Sequence, residues 1–329
     1  MDEATWRRFL SLNSDSNIFH TPEMFQVFNH TRGFVPKIWA VRDQDAEVLA
    51  FFMPVQITVK SGMFHALTTR AVDFGSLLWQ AGGRGISALQ FLLQAYAAET
   101  EHAPIFTELR HVASKEEILP VLEKCGFAFE PHLNYLINLG GGPEAVFQKI
   151  GPRTRKNIRH GLNRGKVIIE AVHDRQQIAG IVDLLRKTYQ NARVPLPDAS
   201  LFDSAFDILY PRNMIRFSQA RIGSYLASVS VELLYKDVVY GWYGGLDRAF
   251  GNYAPNELLM WNILEWGANS GYRMYDFGGA GKPDEKYGVR DFKAKFGGDL
   301  VAYGRSLYIH KPVVLELSKI GYSVLRRWL

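Results

Sequence analysis

GYRMYDFGGAGKPDEKYGVRDFKAKFGGDLVAYGR, residues 271–305, is the stretch of sequence on which the fold assignment depends. A short apolar run, Tyr272–Phe277, ends at Gly278 and Gly279, and a second strand-like run follows over residues 300–309. Glycine accepts positive φ and allows close approach, so a strand that ends at paired glycines leaves backbone N–H groups free to face a ligand. The pattern therefore predicts two strands joined by a glycine-rich connection that can contact a ligand.

This connection is also densely basic. Five cations fall within 14 residues, namely Lys282, Lys286, Arg290, Lys293 and Lys295. Such density is typical of a loop that binds an anionic ligand. A solvated basic loop between two core strands has the same composition, and composition alone does not separate the two readings.

Composition bounds the class of protein. The chain has 329 residues, 47% hydrophobic and 22% charged, which fits one large globular domain or two of ordinary size. The single cysteine, Cys125, excludes an intramolecular disulfide and a cysteine metal cluster, and the histidines show no ligand spacing, so we expect no metal. We expect a cytoplasmic protein, because no apolar run is long enough to span a membrane and the N-terminus lacks a signal-peptide pattern.

The net charge of +5 and the pI near 9.1 fit a phosphate-bearing substrate, RNA or an anionic membrane surface, without choosing among them. Residues 311–329 read as a C-terminal amphipathic helix with a basic end. It could lie on an anionic membrane or pack against the protein.

The two halves of the chain share an order of predicted elements, although no residue-level repeat aligns them. Residues 37–139 run hairpin, strand, helix, strand, helix, strand, with single strands predicted over 48–59 and 127–139. Residues 214–309 run hairpin, third strand, helix, strand, glycine-rich connection, strand, the last over 300–309. This order predicts an α+β fold with mixed, mostly antiparallel sheets flanked by helices. No G-x-G-x-x-G follows a strand and no Walker-type G-K-[ST] occurs, so dinucleotide or ATP use is unsupported.

The run NELLMWNILEWGANSGYRMYDFGG…GVRDFKAKFGGDLVAYGR resembles the FemABX family of peptidoglycan aminoacyltransferases, within the GNAT-like superfamily. The sharpest part of the resemblance is the phenylalanine–lysine pair followed by paired glycines. The segments RTRKNIRHGLNRGKV and RKTYQNA are similar to the family's basic helix and to its tyrosine–arginine helix. The resemblance implies two GNAT-like (acyl-CoA N-acyltransferase-like) domains: 1–145 on the acceptor side, 146–310 on the donor and catalytic side, then the helix 311–329.

The resemblance further implies an acyltransferase, more narrowly an aminoacyltransferase of peptidoglycan and cell-wall biosynthesis. It would move an aminoacyl group from aminoacyl-tRNA onto an amine of a nucleotide- or lipid-linked muropeptide acceptor, with no cofactor. The chain departs from the family in lacking a sustained heptad segment for the helical arm that some members carry.

The transfer needs an oriented ester and a cation or N–H donors for the tetrahedral oxyanion. Lys293 is the first candidate, because the resemblance places it in the phenylalanine–lysine motif. Asp276 could accept the proton of the amine or orient Lys293, and it could equally cap a loop. These two residues are the predicted catalytic pair.

The predicted substrate contacts are more numerous. On a helix, Arg155 and Arg159 share a face, and an arginine fork suits a diphosphate or an RNA backbone. Aromatic hydroxyls could contact a peptide stem. The predicted set is Asp73, Arg153, Arg155, Lys156, Arg159, Tyr189, Arg193, Tyr243, Gly278, Gly279 and Phe292, with Asp73 holding the acceptor amine and Phe292 fixing the lysine by packing.

Two other functions stay open. The first is a GNAT-like N-acyltransferase that uses acyl-CoA on another amine. The corresponding position reads FGNYAPNELL and lacks the glycine spacing of a pyrophosphate-binding loop before the main helix, which counts against CoA. The second is a non-catalytic binding module on the same fold.

Overall fold

The structure is a computed structural model that describes residues 1–58, 68–99 and 104–317. Contacts divide the chain into two compact units. Unit 1 comprises residues 1–131 and 303–329, and unit 2 comprises residues 132–302.

Unit 1 contains a mixed six-stranded sheet in the order β1-β4-β5-β7-β16-β8 and a small antiparallel sheet in the order β2-β3-β6. The strands are β1 Phe34–Pro36, β2 Trp39–Arg42, β3 Val48–Phe52, β4 Val55–Thr58, β5 Thr69–Asp73, β6 Leu78–Trp79, β7 Phe106–Arg110, β8 Ala128–Glu130 and β16 Arg305–Ile309. β5 and β7 are parallel, and the other described pairs of this unit are antiparallel.

Unit 1 contains four described α-helices, and α2 shows how the local sequence sets a helix start. Pro22 occupies the first turn of α2 and the Thr21 side chain caps it, as the Thr-Pro pattern predicts. The α-helices are α1 Glu3–Leu12, α2 Pro22–Asn29, α3 Gly83–Ala98 and α4 Leu119–Lys124. Leu89, Leu92 and Leu93 of α3 pack with Leu109 of β7 in the core.

Unit 2 is built on one seven-stranded sheet in the order β10-β11-β12-β13-β14-β9-β15. Its strands are β9 Asn134–Asn138, β10 Ile168–Ala171, β11 Ile215–Ile222, β12 Tyr225–Tyr235, β13 Val238–Leu246, β14 Met274–Asp276 and β15 Asp299–Val301. The β13–β14 pair is parallel, with Tyr240 opposite Asp276, and β13 continues for six residues beyond this last pairing. β9 pairs antiparallel with both β14 and β15.

The helices of unit 2 are α5 Gly142–Lys149, α6 Pro152–Arg164, α7 Ile178–Ala192, α8 Ser200–Leu209, α9 Pro255–Asn269 and α10 Gly288–Ala294. The core beside α9 contains Leu258, Ile263 and Leu264 of that helix together with Val239 and Tyr275 of the sheet. Burial of this apolar side fixes α9 against the strand that leads into the glycine pair.

Three predicted strands are each two strands in the structure, so those predictions were wrong in detail. The run over 48–59 breaks at Met53–Pro54 into β3 and β4, which lie in different sheets, because proline cannot donate to a ladder. The run over 127–139 contributes β8 to unit 1 and β9 to unit 2. The run over 300–309 likewise divides at Gly304, which has φ of 75°, into β15 and β16.

The α+β prediction with mixed, mostly antiparallel sheets is confirmed. The predicted domain boundaries after residues 145 and 310 stay predictions; contacts place 132–145 with unit 2 and 303–310 with unit 1. Residues 312–317 are helical, and the rest of the predicted C-terminal helix lies outside the described residues. Over 1–58, 68–99 and 104–317, no helix has the length and apolar character needed to cross a membrane.

Candidate functional site

The candidate site is built on the turn that follows β14. Gly278 and Gly279 have φ of 73° and 119°, a region that residues with a Cβ rarely adopt. A Cβ on Gly278 would lie 2.7 Å from the Gly241 carbonyl oxygen of β13. Glycine is therefore required at Gly278 for two reasons, its backbone conformation and the close approach of β13.

Asp276 is buried beneath this turn and accepts a hydrogen bond from its backbone. Its side chain is only 4% exposed, and its Oδ1 accepts hydrogen bonds from Asn134 Nδ2 at 2.6 Å and from the Gly278 amide at 2.7 Å. Burial raises the pKa of the Asp276 carboxyl, while Asn134, the Gly278 amide and the Lys293 charge oppose the rise. A carboxyl so enclosed is suited to positioning its neighbours.

Lys293 lies on α10 and reaches back to the turn. Its Nζ donates to the carbonyl oxygens of Phe277 at 2.6 Å and Gly279 at 2.5 Å, and it lies 5.5 Å from the Phe277 ring centroid. Burial lowers the pKa of the Lys293 ammonium to about 8, and the nearby Asp276 carboxylate limits the fall. Within the described part of the chain two of the three N–H donors are used, which leaves one donor for a developing oxyanion at neutral pH.

The structure brings Lys293, Asp276, Gly278 and Gly279 together as one cluster, although 14 residues separate Lys293 from Gly279. α10 makes this possible by folding the basic connection back over the turn. Lys293 is carried by this short helix, Gly288–Ala294, and β15 follows it at Asp299.

Arg290 behaves differently from the expected anion-binding cation. Its guanidinium donates to the carbonyl oxygens of Ala280 at 2.8 Å and Pro283 at 3.0 Å, and also to that of Lys282. Arg290 and Lys293 therefore hold the loop through its own carbonyl groups. Counting the five cations in the sequence therefore overstates the number of N–H donors that this loop offers to an anion.

Asn134 was missed by the sequence analysis. It begins β9, and its Oδ1 accepts from the amides of Tyr135 at 2.8 Å and Gly279 at 2.9 Å while its Nδ2 donates to Asp276. An asparagine within the strand predicted over 127–139 carries no signal for such a role. Only the pairing of β9 with β14, 136 or more residues apart in the chain, brings it to the turn.

Glu232 is a second group that sequence reasoning missed. It lies on β12 and is fully buried; Ser230 donates to its Oε1, while its Oε2 has no hydrogen-bond partner among the described residues. Burial raises the pKa of the Glu232 carboxyl to about 8, against the opposing effects of Ser230 and Arg216. Unit 2 therefore holds two groups, Glu232 and Lys293, that titrate near the same pH.

The aromatic candidates Tyr189 and Tyr243 are neighbours, with ring centroids 5.9 Å apart. Burial raises the pKa of the Tyr189 hydroxyl to about 12, with a further contribution from Tyr287. The ring of Tyr287 in turn lies close to Gly281, because a Cβ added to this glycine would be 2.9 Å from the ring. These contacts run from the end of α7 to the basic connection. Arg193, also predicted, is exposed and ends α7 with φ of 54°.

Phe292 is half-buried and its ring lies 5.2 Å from that of Phe296 in the core of unit 2. Packing of this kind holds α10 in place, which agrees with the expectation that Phe292 fixes the lysine. Its direct contact with a substrate stays a prediction.

The basic group on α6 is presented on a helix, as expected. Arg153, Lys156 and Arg159 are exposed, and Arg155 donates to Gln148 Oε1 at 2.5 Å. The Arg159 guanidinium lies 5.1 Å from the Phe147 ring centroid. The helix therefore offers a row of cations, and what they bind stays a prediction.

Asp73 is the one predicted site residue in unit 1. It is only 1% exposed; its Oδ1 accepts from the Gly75 amide at 3.2 Å, and its Oδ2 has no partner among the described residues. Burial raises the pKa of the Asp73 carboxyl well above its usual value. Contact with an acceptor amine stays a prediction, and its enclosure argues against it.

Comparison with known proteins places this geometry in a fold family. Residues 152–293 match the family model described as an acetyltransferase (GNAT) domain, a span that ends at Lys293. Among curated proteins, none matches the sequence.

Solved structures match over nearly the whole chain. The crystal structure of FemX aligns with a TM-score of 0.71 at 15% identity, over 96% of this chain and 98% of that one. A tandem GNAT protein from the clavulanic acid biosynthesis pathway aligns with a TM-score of 0.58 at 12% identity, over 94% of this chain and 96% of that one. The C-terminal domain of a putative lysylphosphatidylglycerol synthetase from Agrobacterium fabrum aligns with a TM-score of 0.56 at 13% identity, over 98% of this chain and 96% of that one. The chain thus has a FemABX-like fold of two GNAT-like domains, and the resemblance is confirmed at that level.

Proposed function

We propose that this FemABX-like chain is an aminoacyltransferase that moves an aminoacyl group from aminoacyl-tRNA onto an amine of a peptidoglycan-precursor acceptor. The observation that supports the proposal is the Lys293 ammonium, held by the Phe277 and Gly279 carbonyl oxygens with a pKa lowered to about 8. A GNAT-type acyltransferase is the coarser class, and it is supported by the family match over residues 152–293.

The transfer forms a C–N bond and breaks a C–O bond. The neutral acceptor amine attacks the ester carbonyl carbon, and the carbonyl oxygen gains negative charge in the tetrahedral intermediate. The remaining N–H of Lys293 can stabilise that oxygen, and a half-buried ammonium does so more strongly than one in water. As the intermediate collapses, the ester oxygen leaves with the proton that the amine nitrogen loses.

Asp276 supports Lys293 in this scheme. Its carboxylate is near the ammonium but makes no hydrogen bond to it among the described residues, so it favours the charged form without occupying the donor. Tyr189 and Tyr243 are proposed to contact the acceptor, and the cations of α6 to hold its diphosphate or the RNA backbone.

Acyl-CoA is the second candidate donor. The matched family model is an acetyltransferase domain, and one solved relative is a tandem GNAT protein whose title names AcCoA. Another solved relative is named as a putative lysylphosphatidylglycerol synthetase, and it suggests a third form of the reaction, in which the acceptor is lipid-linked. All three forms of the reaction use the same location of Lys293.

The experiment measures initial rates with two donors, aminoacyl-tRNA and acetyl-CoA, and with no donor, against a UDP-linked muropeptide and a lysine-containing peptide. We expect product only with aminoacyl-tRNA and the muropeptide. Product with acetyl-CoA alone would transfer the assignment to an N-acyltransferase. No product with any pair would favour a binding module, and calorimetry with the same ligands would then test for binding.

The pH dependence of the same reaction tests the ammonium. Lys293 has a pKa of about 8, so the charged form is lost as pH rises through 8, and we expect the rate at saturating substrate to fall there. Glu232 also has a pKa of about 8 but is fully buried on β12, so Glu232→Gln should leave this descending limb in place. A limb that disappears in Glu232→Gln would remove Lys293 from the explanation.

A further inference from the structure

The position of Lys293 depends on a turn that contains two consecutive glycines, Gly278 and Gly279. Its two anchors are the carbonyl oxygens of Phe277 and Gly279, and Gly278 lies between them. Glycine has more accessible backbone conformations than any other residue, so a turn with two consecutive glycines costs more entropy to fix in one shape. Some other group must therefore hold these carbonyl oxygens in register with the ammonium.

Asn134 makes the side-chain cross-links that do this, alongside backbone hydrogen bonds from the Phe277 amide to the Tyr135 carbonyl oxygen at 3.1 Å and from the Ala280 amide to the Leu133 carbonyl oxygen at 2.6 Å. Its Nδ2 donates to Asp276 Oδ1 at 2.6 Å, before the turn, and its Oδ1 accepts from the Gly279 amide at 2.9 Å, at the end of the turn. One side chain thus joins both ends of the four-residue turn. The orientation of the amide is determined, because the same Oδ1 also accepts from the Tyr135 amide at 2.8 Å and an NH₂ group there would face two donors.

Asn134 is itself held rigidly. It is 8% exposed and lies on β9, which pairs with β14 on one side and with β15 on the other. The residue precedes the span 152–293 that matches the GNAT domain model, so the turn is completed by a strand from the preceding segment. Asparagine suits the position because one short side chain supplies both a donor and an acceptor; aspartate lacks the donor and alanine lacks both.

We propose that Asn134 is a positioning residue that fixes the Asp276–Gly279 turn in the shape that binds Lys293. This inference rests on the proposed role of Lys293 in transfer, but its structural part can be tested without any substrate. The titratable groups on the elements around Lys293 are Asp276 and Tyr275 on β14, His132 ahead of β9, and Arg290, Asp291 and Lys295 on or beside α10.

The test measures the protonation of Lys293 directly. Trace labelling with acetic anhydride over a range of pH, read by tandem mass spectrometry, gives the midpoint at which each lysine becomes reactive. Lys295, with a side chain 47% exposed, serves as the reference in the same peptide. Asn134→Ala removes the cross-link between Asp276 and Gly279, so the Phe277 and Gly279 carbonyl oxygens are no longer fixed at the ammonium and stabilise its charge less. We expect the Lys293 midpoint to fall by about one pH unit.

Asn134→Asp is the second variant, because it keeps an acceptor for the Gly279 and Tyr135 amides and should fold even if Asn134→Ala does not. Its added carboxyl titrates as a pair with Asp276, and the extra negative charge at alkaline pH should raise the Lys293 midpoint. Asn138→Ala, on the exposed end of the same strand, is the matched control and should leave the midpoint unchanged.

A Lys293 midpoint that stays within about 0.2 pH units of wild type in a folded Asn134→Ala, or in Asn134→Asp, would overturn the inference. Failure of the proposed function is distinguishable. If wild type transfers nothing but the midpoints shift in opposite directions, Asn134 positions Lys293 and the assigned reaction is wrong. If transfer occurs and its descending pH limb moves with the labelling midpoint, both proposals are supported.

Discussion

Two turns in this molecule begin with the same three residues and have different surroundings. Asp73-Phe74-Gly75-Ser76 follows β5 in unit 1, and Asp276-Phe277-Gly278-Gly279 follows β14 in unit 2. Each leaves a strand that belongs to a parallel pair, and in each the aspartate is buried and accepts from the amide two residues later.

The fourth residue and the nearest lysine make the difference. Ser76 has φ of 68° and its hydroxyl bonds to His111 Nδ1 at 2.8 Å, so the turn of unit 1 is tied into the core. Lys115 is buried close to Asp73, but its Nζ pairs with Asp15 at 2.6 Å and lies 4.8 Å from the Trp79 ring centroid.

In unit 2 the lysine binds the turn itself, through the Phe277 and Gly279 carbonyl oxygens. The comparison teaches that the Asp-Phe-Gly sequence specifies a buried turn in both units. Whether that turn holds a usable ammonium depends on what the neighbouring helix brings to it. The predictions below test this contrast.

The largest expected effect separates the two lysines. Lys293→Ala should lower the rate of transfer by about 10²–10³-fold, the usual result of removing an oxyanion donor, while circular dichroism shows a folded chain. Lys115→Ala should leave the rate within about twofold but destabilise the protein by about 2 kcal/mol in urea unfolding, because Asp15 loses a buried partner. Transfer at the wild-type rate by Lys293→Ala would mean that the two turns do not differ in function.

The second effect concerns the glycines. Gly278→Ala forces alanine into a positive-φ backbone conformation and places its Cβ 2.7 Å from the Gly241 carbonyl oxygen. We expect the free energy of unfolding, measured in urea, to fall by about 2–4 kcal/mol. Gly75 does not have a positive φ, and its Cβ would meet the side chains of His20 and Asn17 at 2.7 and 2.8 Å. Side chains yield more easily than backbone, so Gly75→Ala should cost less than Gly278→Ala. Equal costs would contradict this ranking.

The smallest effect is a pH dependence of stability in unit 1. The pKa of Asp73 is raised on folding, so its contribution is complete below the unfolded pKa and is lost as pH rises through the folded pKa. Asp73→Asn removes that titration. Relative to wild type, the free energy of unfolding of the variant should therefore increase from about pH 4 towards about pH 8, because wild type loses stability over this range and Asp73→Asn does not. A difference that does not vary with pH would show that Asp73 is ionised in the folded protein.

Sequence reasoning was accurate where the signal is local. Hydrophobic periodicity and proline placement located most of the helices, and the glycine pair after a short apolar run located the candidate turn. The fold class and the two GNAT-like domains are confirmed. The reasoning failed at Pro54, at residues 131–133 and at Gly304, where one apolar run supplies two strands to two different sheets. Periodicity is continuous across such a break, so it cannot show where a chain changes sheet.

The residues of the candidate site also fall into two groups, those that the sequence identified and those that it did not. Lys293, Asp276, Gly278 and Gly279 are near one another in sequence and were identified together, whereas Asn134 and Glu232 were not. The sequence by itself determined which residues form the buried turn, since strand propensity, glycine conformations and charge are properties of short segments. The tertiary structure alone decided which carbonyl oxygens receive the lysine and which strand supplies the asparagine. The lysine contacts depend on α10 folding back over the turn. The asparagine contacts depend on the pairing of β9 with β14, segments more than a hundred residues apart, and that pairing is selected by burial over the whole sheet.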